Sequence, residues 1–188
     1  MLASLDVGFS HIGVALWHEQ IIVDVARFEF PKTKKKQVRS SSDRVDRAQR
    51  WTKVMYDYLW DNEVQGVIGE LPSGGGKSMH ATSEMNCATV LSGSLCTLME
   101  LPCEWCAPND VKKTMCNKLN ATKQEIINAV VEWLHPIIEV EELTKSTRYN
   151  VNTQRGLVTF PKTKFDDVAD ALAVYKVMET SNMVRMYG

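Results

Sequence analysis

The chain has 188 residues, 44% of them hydrophobic and 24% charged, with a formal net charge of −1. That profile suits one globular domain spanning 1–188 and excludes a disordered or fibrous chain. No apolar run approaches the ~18 residues of a membrane span, and "MLASLDVGFS" lacks the basic-then-apolar pattern of a leader. A cytoplasmic protein is expected, and the odd count of cysteines argues for reduced thiols. Cys103 and Cys106 form C-x-x-C, but a second such pair is missing, which favours buried thiols over zinc.

"LASLDVGF" (2–9) alternates and predicts a strand containing Asp6. "HIGVALWH" (11–18) and "QIIVDVARFEF" (20–30) follow after short connections, so three antiparallel strands are expected. His11 and His18 flank the second strand at the surface. A basic loop, 31–42, comes next. Eight Lys/Arg against two Asp occupy Pro31–Arg50, and "FPKTK" recurs at Phe160–Lys164.

Asp43 is a plausible N-cap. Val45, Ala48, Trp51, Met55, Tyr58 and Leu59 at helical spacing predict a helix over 43–61. "VQGVIGE" is a short strand ending in Glu70, and a glycine-rich loop follows. Residues 78–100 predict a helix with a small-residue face of Ala81, Met85, Ala88, Ser92 and Leu95. "PCEWCA" is a strand, "PNDVKKTMCNKLNATKQE" a basic connection, and 123–134 a helix ended by Pro136. Residues 137–164 carry no clear period and read as an insertion, a long or mobile loop or a hairpin. A last helix covers 166–178. The fold class expected is α/β: a mixed five-stranded sheet, three antiparallel strands then alternating α and β, with helices on both faces.

Asp6 stands mid-strand, where an unpartnered buried carboxylate is costly, so it has a basic partner or a cation. Glu70 closes a strand at the end where α/β folds place chemistry. Asp167 and Asp170, three apart, share one helical face. Four carboxylates converging at one sheet end form an oxygen-only site suited to Mg²⁺ or Mn²⁺. Two such ions about 4 Å apart activate a water and stabilise the leaving oxygen in phosphodiester hydrolysis.

"LDVGFSHIGVAL", "VIGE" and "DDVADALAVY" resemble the three acidic motifs of RuvC-type Holliday junction resolvases, within the RNase H-like superfamily. "LPCEWCAPNDVKKTMCNKLNATKQEI" is similar to that family's next strand, basic connection and helix. The resemblance implies that Asp6 bridges two metals, that Glu70 and Asp170 hold one each, and that Asp167 is the fourth ligand. It implies that Lys112 or Lys123 stabilises charge on the scissile phosphate, that cutting leaves a 5′-phosphate, and that a homodimer nicks two strands of a four-way junction symmetrically. The small-residue face of 78–100 is the candidate dimer contact. The segments 31–42 and 137–164 depart from compact bacterial members and suggest a phage or viral one. DNA contacts are expected from Lys32, Lys34, Lys35, Lys36 and Arg39, from Gly74, Gly75, Gly76, Lys77 and Ser78, and from Lys112, Lys113 and Lys123.

Other readings stay open. "GGGKS" suggests a nucleotide-binding loop, but the position five before Gly76 is Leu71 where that loop needs glycine, and Pro72 lacks an amide donor. No nucleotide cofactor is therefore expected. An actin-like ATPase needs a duplicated domain. An enzyme cutting RNA–DNA hybrids or forked DNA, or a non-catalytic DNA-binding module, shares the same fold.

Overall fold

A computed structural model of the chain describes residues 1–33, 39–72, 78–143 and 146–188. The expectations for Lys34, Lys35, Lys36, Gly74, Gly75, Gly76 and Lys77 lie outside the described residues. Strands β1 (Leu2–Val7), β2 (His11–His18), β3 (Ile21–Glu29), β4 (Gly66–Glu70) and β5 (Cys103–Cys106) form one sheet in the order β3-β2-β1-β4-β5. β1, β2 and β3 are antiparallel neighbours, whereas β4 runs parallel to β1 and β5 parallel to β4.

Alternation along β1 gives the sheet its two faces. Ala3, Leu5 and Val7 enter one core with Trp51, Met55 and Leu59 of α1 (Ser40–Asp61) and Ala88 and Leu95 of α2 (Met79–Leu98). Leu2 belongs to the opposite core, with Val111 of α3 (Pro108–Cys116), Ile127 and Val130 of α4 (Lys123–Trp133) and Val168 and Leu172 of α5 (Lys162–Val177). Ser4 and Asp6 share that second face by parity. α6 (Asn182–Tyr187) adds Met183 and Val184. Among the described residues no helix is long and apolar enough to cross a membrane.

Several expectations change. Residues 137–164 are chiefly a three-stranded antiparallel meander of β6 (Ile138–Leu143), β7 (Ser146–Thr153) and β8 (Gly156–Pro161). Tyr149 and Phe160 pack on Phe165 of α5, the Tyr149 ring stacked at 4.2 Å. The β7–β8 turn covers the outer edge of β3, Gln154 N–H donating to the Ile22 carbonyl (2.9 Å) and Arg155 N–H to that of Val23 (3.2 Å). An open sheet edge invites pairing with other chains, and this turn closes it locally. The basic connection after β5 contains α3, opened by Pro108 at its first turn.

α1 begins at Ser40, so Asp43 lies inside its first turn and accepts from the Thr33 amide instead of capping. Arg47 takes an inward position and is 1% exposed, while Val45 is 58% exposed. The Arg47 guanidinium donates to the Phe30 carbonyl (2.9 Å), Glu84 (2.8 Å) and the Ser10 hydroxyl (2.7 Å), so burial leaves its donors partnered. In α2, Ala88, Ser92 and Leu95 are buried in the chain's own core. The central part of the small-residue face is therefore not free for a dimer contact. Cys103 and Cys106 belong to opposite cores, so they do not act as one pair.

Candidate active site

One cross-strand row organises the site. Arg27 of β3 lies opposite Gly13 of β2, Gly13 opposite Asp6 of β1, Asp6 opposite Glu70 of β4, and Glu70 opposite Cys106 of β5. Directly opposed residues share a face, and neighbouring strands lie about 4.8 Å apart. Asp6 and Glu70 are thus side by side beneath α5. Gly13 brings the helix down: a Cβ there would stand 1.9 Å from the Asp167 carbonyl oxygen. Only glycine permits that approach without displacing backbone. With Asp167 set over Gly13, Asp170 follows one helical turn later over the same sheet end.

Charge and burial act together on these groups. The Asp6 carboxyl is pushed well above its usual range, first by burial and then by Asp170, Glu70 and Asp167. Burial and the neighbouring Asp170 push Glu70 up to about 7. Asp170 is pushed up to about 6, chiefly by burial, against the pull of Lys123. Among the described residues no side chain hydrogen-bonds or ion-pairs with Asp6, Glu70 or Asp170.

Asp167 differs. Its burial works towards a raised pKa, but bonds from His11 and Arg27 outweigh it and hold the carboxyl low. The Arg27 Nε donates to Oδ2, and His11 Nδ1 lies 3.4 Å from Oδ1. Arg27 was not among the residues expected from the sequence; His11 does lie at the surface as expected, its ring about half exposed, and turns Nδ1 towards Asp167. The available signal was Arg27's parity, two residues past buried Val25 on the same side of β3.

The lysines flank the carboxylates from the opposite side. Lys112 of α3 lowers the pKa of Glu70 and Asp170, and Lys123, first in α4, lowers those of Asp6, Glu70 and Asp170. Lys123 Nζ donates to Asp166 at 2.8 Å. Thr122 holds the start of α4 through a capping box with Glu125. Lys113 is exposed on the next position of α3. Lys32 lies just past the end of β3, against His80 and 3.3 Å from Glu84. Arg39 sits exposed at the start of α1, and the Ser78 hydroxyl caps α2 by accepting from Ala81 N–H.

The donor set fits a hard divalent cation: three oxygen-only carboxylates, mutually repelling and, among the described residues, without a hydrogen-bond or salt-bridge partner, Lys112 and Lys123 acting on them only through space. Among the described residues, no three acidic, His or Cys side chains close round a single point as they stand.

No family model and no curated protein matches the sequence. Solved structures do. The sheet order, the helix layers and these neighbours define an RNase H-like α/β fold. Within that class the fold is similar to that of RuvC. RuvC of T. thermophilus in complex with a Holliday junction substrate superposes with a TM-score of 0.63 at 15% identity, over 99% of this chain and 96% of that one. A second Thermus thermophilus RuvC structure gives 0.62 at 16% identity, over 98% and 95%. The yeast mitochondrial Holliday junction resolvase Ydc2 gives 0.56 at 12% identity, over 99% and 80%.

Proposed function

We propose that the protein is a Mg²⁺-dependent, structure-selective endonuclease that cuts four-way DNA junctions. The observation that carries this reading is the in-register Asp6–Glu70 pair beneath Asp170, three carboxylates with no hydrogen-bond or salt-bridge partner among the described residues and two lysines beside them. The RuvC-type fold, which includes a neighbour solved with a Holliday junction, supports the choice of substrate.

Asp6, Glu70 and Asp170 would hold the cations, Mg²⁺ with Mn²⁺ as a substitute. When bound, two such ions supply an activated water and a stabilised leaving oxygen. Lys112 and Lys123 place positive charge beside the carboxylates, where the scissile phosphate must lie. Asp166 holds Lys123 in that position. Lys32, Arg39 and Lys113 contribute sequence-independent contacts to the DNA backbone. The products are a 5′-phosphate and a 3′-hydroxyl.

A homodimer supplies two centres for two symmetric cuts. The contact is drawn from the outer surfaces of α1 and α2, where Val45, Val90 and Leu98 are exposed.

The test compares cleavage of four-way junctions, Y-forks, linear duplex and RNA–DNA hybrid with Mg²⁺, using wild type and Asp6→Asn. Fast junction cutting by wild type and none by Asp6→Asn is expected. Hybrid cut much faster than junction would replace the resolvase reading with another RNase H-like nuclease. Cutting that survives Asp6→Asn would remove the acidic centre from the mechanism.

A further inference from the structure

Both carboxylate oxygens of Asp167 are already engaged, Oδ2 by Arg27 and Oδ1 by His11. The Asp167 side chain is 5% exposed and that of Arg27 10%, so the pair is shielded from solvent. Arg27 reaches a second carboxylate through Nη1, Glu29, which Lys164 also approaches at 2.8 Å. A planar guanidinium held between two carboxylates has one orientation, which a lysine ammonium does not reproduce.

We propose that Arg27 is a positioning residue that takes Asp167 out of the cation-holding set and makes this a three-carboxylate centre. The inference rests on the nuclease reading above and revises the role expected of Asp167. Three observations carry it. Asp6, Glu70 and Asp170 have no protein partner among the described residues, whereas Asp167 has two. Arg27 and Asp6 occupy the same cross-strand row, separated by Gly13 alone, so the guanidinium compensates Asp167 beside the centre itself. The Asp167 backbone is seated on Gly13. Pinning its side chain to β3 therefore fixes the first turns of α5, and with them the height of Asp170 over Asp6. Asp167 acts through its ion pair, and Arg27 acts through Asp167.

The experiment measures Mn²⁺ binding by calorimetry on the whole protein, beside single-turnover junction cutting. Asp167→Asn keeps an oxygen acceptor for Arg27, and its Mn²⁺ affinity is expected to fall less than about tenfold. Asp170→Asn removes a ligand and should lose more than about a hundredfold, beyond the usual effect of an outer-shell change. Arg27→Met is expected to lower kcat about 10- to 100-fold with junction KM unchanged, and Arg27→Lys to recover only part of it. If Asp167→Asn loses Mn²⁺ as Asp170→Asn does, Asp167 is a ligand and the inference is overturned. If Arg27→Met raises KM at constant kcat, Arg27 is a DNA contact and the inference is again overturned. Folding of each variant is followed by circular dichroism. Should Arg27→Met unfold, Arg27→Lys decides by the same split between kcat and KM. A wild type that binds no Mn²⁺ and cuts nothing overturns the nuclease reading itself, a result distinct from the other two.

Discussion

Glu70 ends its strand with a carboxyl pushed up to about 7 by burial and by Asp170. Its folded-state pKa thus lies above the unfolded value near 4.5. Between those values the native state binds more protons than the unfolded one, so stability falls as pH rises and the penalty is complete above pH 7. Glu70→Gln removes the charge and should stabilise the metal-free protein at pH 8 by about 1–3 kcal/mol. At pH 5 wild-type Glu70 is already neutral and the difference should close. Thermal melts at the two pH values in EDTA check this, and a variant no more stable at pH 8 would show that the carboxylates do not repel. Mg²⁺ should stabilise wild type more than the variant. Four acidic residues were legible in the sequence because carboxylates inside a strand, at a strand end and at helical i, i+3 spacing need an account. Arg27 was only faintly legible, through its parity with Val25: a cation near the end of a strand reads as an edge residue until the register sets it opposite Gly13.

Among the elements, α1 shows how pattern reading fails. Amphipathic spacing assigns apolar residues to the core and charged ones to solvent, so Val45 was expected inside and Arg47 was not. The structure reverses them because Arg47 ties three elements together: α2 through Glu84, the β1–β2 turn through Ser10 and the end of β3 through Phe30. Arg47→Ala leaves Glu84 to Lys32 and His80 and the Phe30 carbonyl without its donor, and should cost about 2–3 kcal/mol through the lost charge-assisted hydrogen bonds. Urea unfolding measures it, and a loss below about 1 kcal/mol would mean that the pair is no more than a surface bridge. β7 was hidden for a different reason. Its inward residues are Thr147, Tyr149, Val151 and Thr153, a true alternation in which half the positions are polar. The stack of Tyr149 on Phe165 and the complete burial of Val151 mark this face as the inner one.

For the whole molecule, a net charge of −1 forbids binding DNA by bulk attraction. Affinity has to come from the distribution of charge, and the distribution works against itself at the centre. Lys112 and Lys123 favour a phosphate there, while Asp6, Glu70 and Asp170 repel one until cations neutralise them. Wild type should therefore bind a four-way junction weakly in EDTA and more tightly in Ca²⁺, which fills an oxygen site while a geometry suited to Mg²⁺ is not met. Asp6→Asn removes one repelling charge and should bind the junction more tightly than wild type in EDTA, with the advantage shrinking in Ca²⁺. Log affinity should fall linearly with log salt, and replacing Lys112 or Lys123 by alanine should reduce that slope by about one. Fluorescence anisotropy with a labelled junction reads both effects. If Asp6→Asn gains nothing in EDTA, the carboxylates do not face the DNA backbone. An unchanged slope for both lysine variants would mean that the phosphate contacts lie elsewhere, on the side of the molecule that carries Lys32 and Arg39.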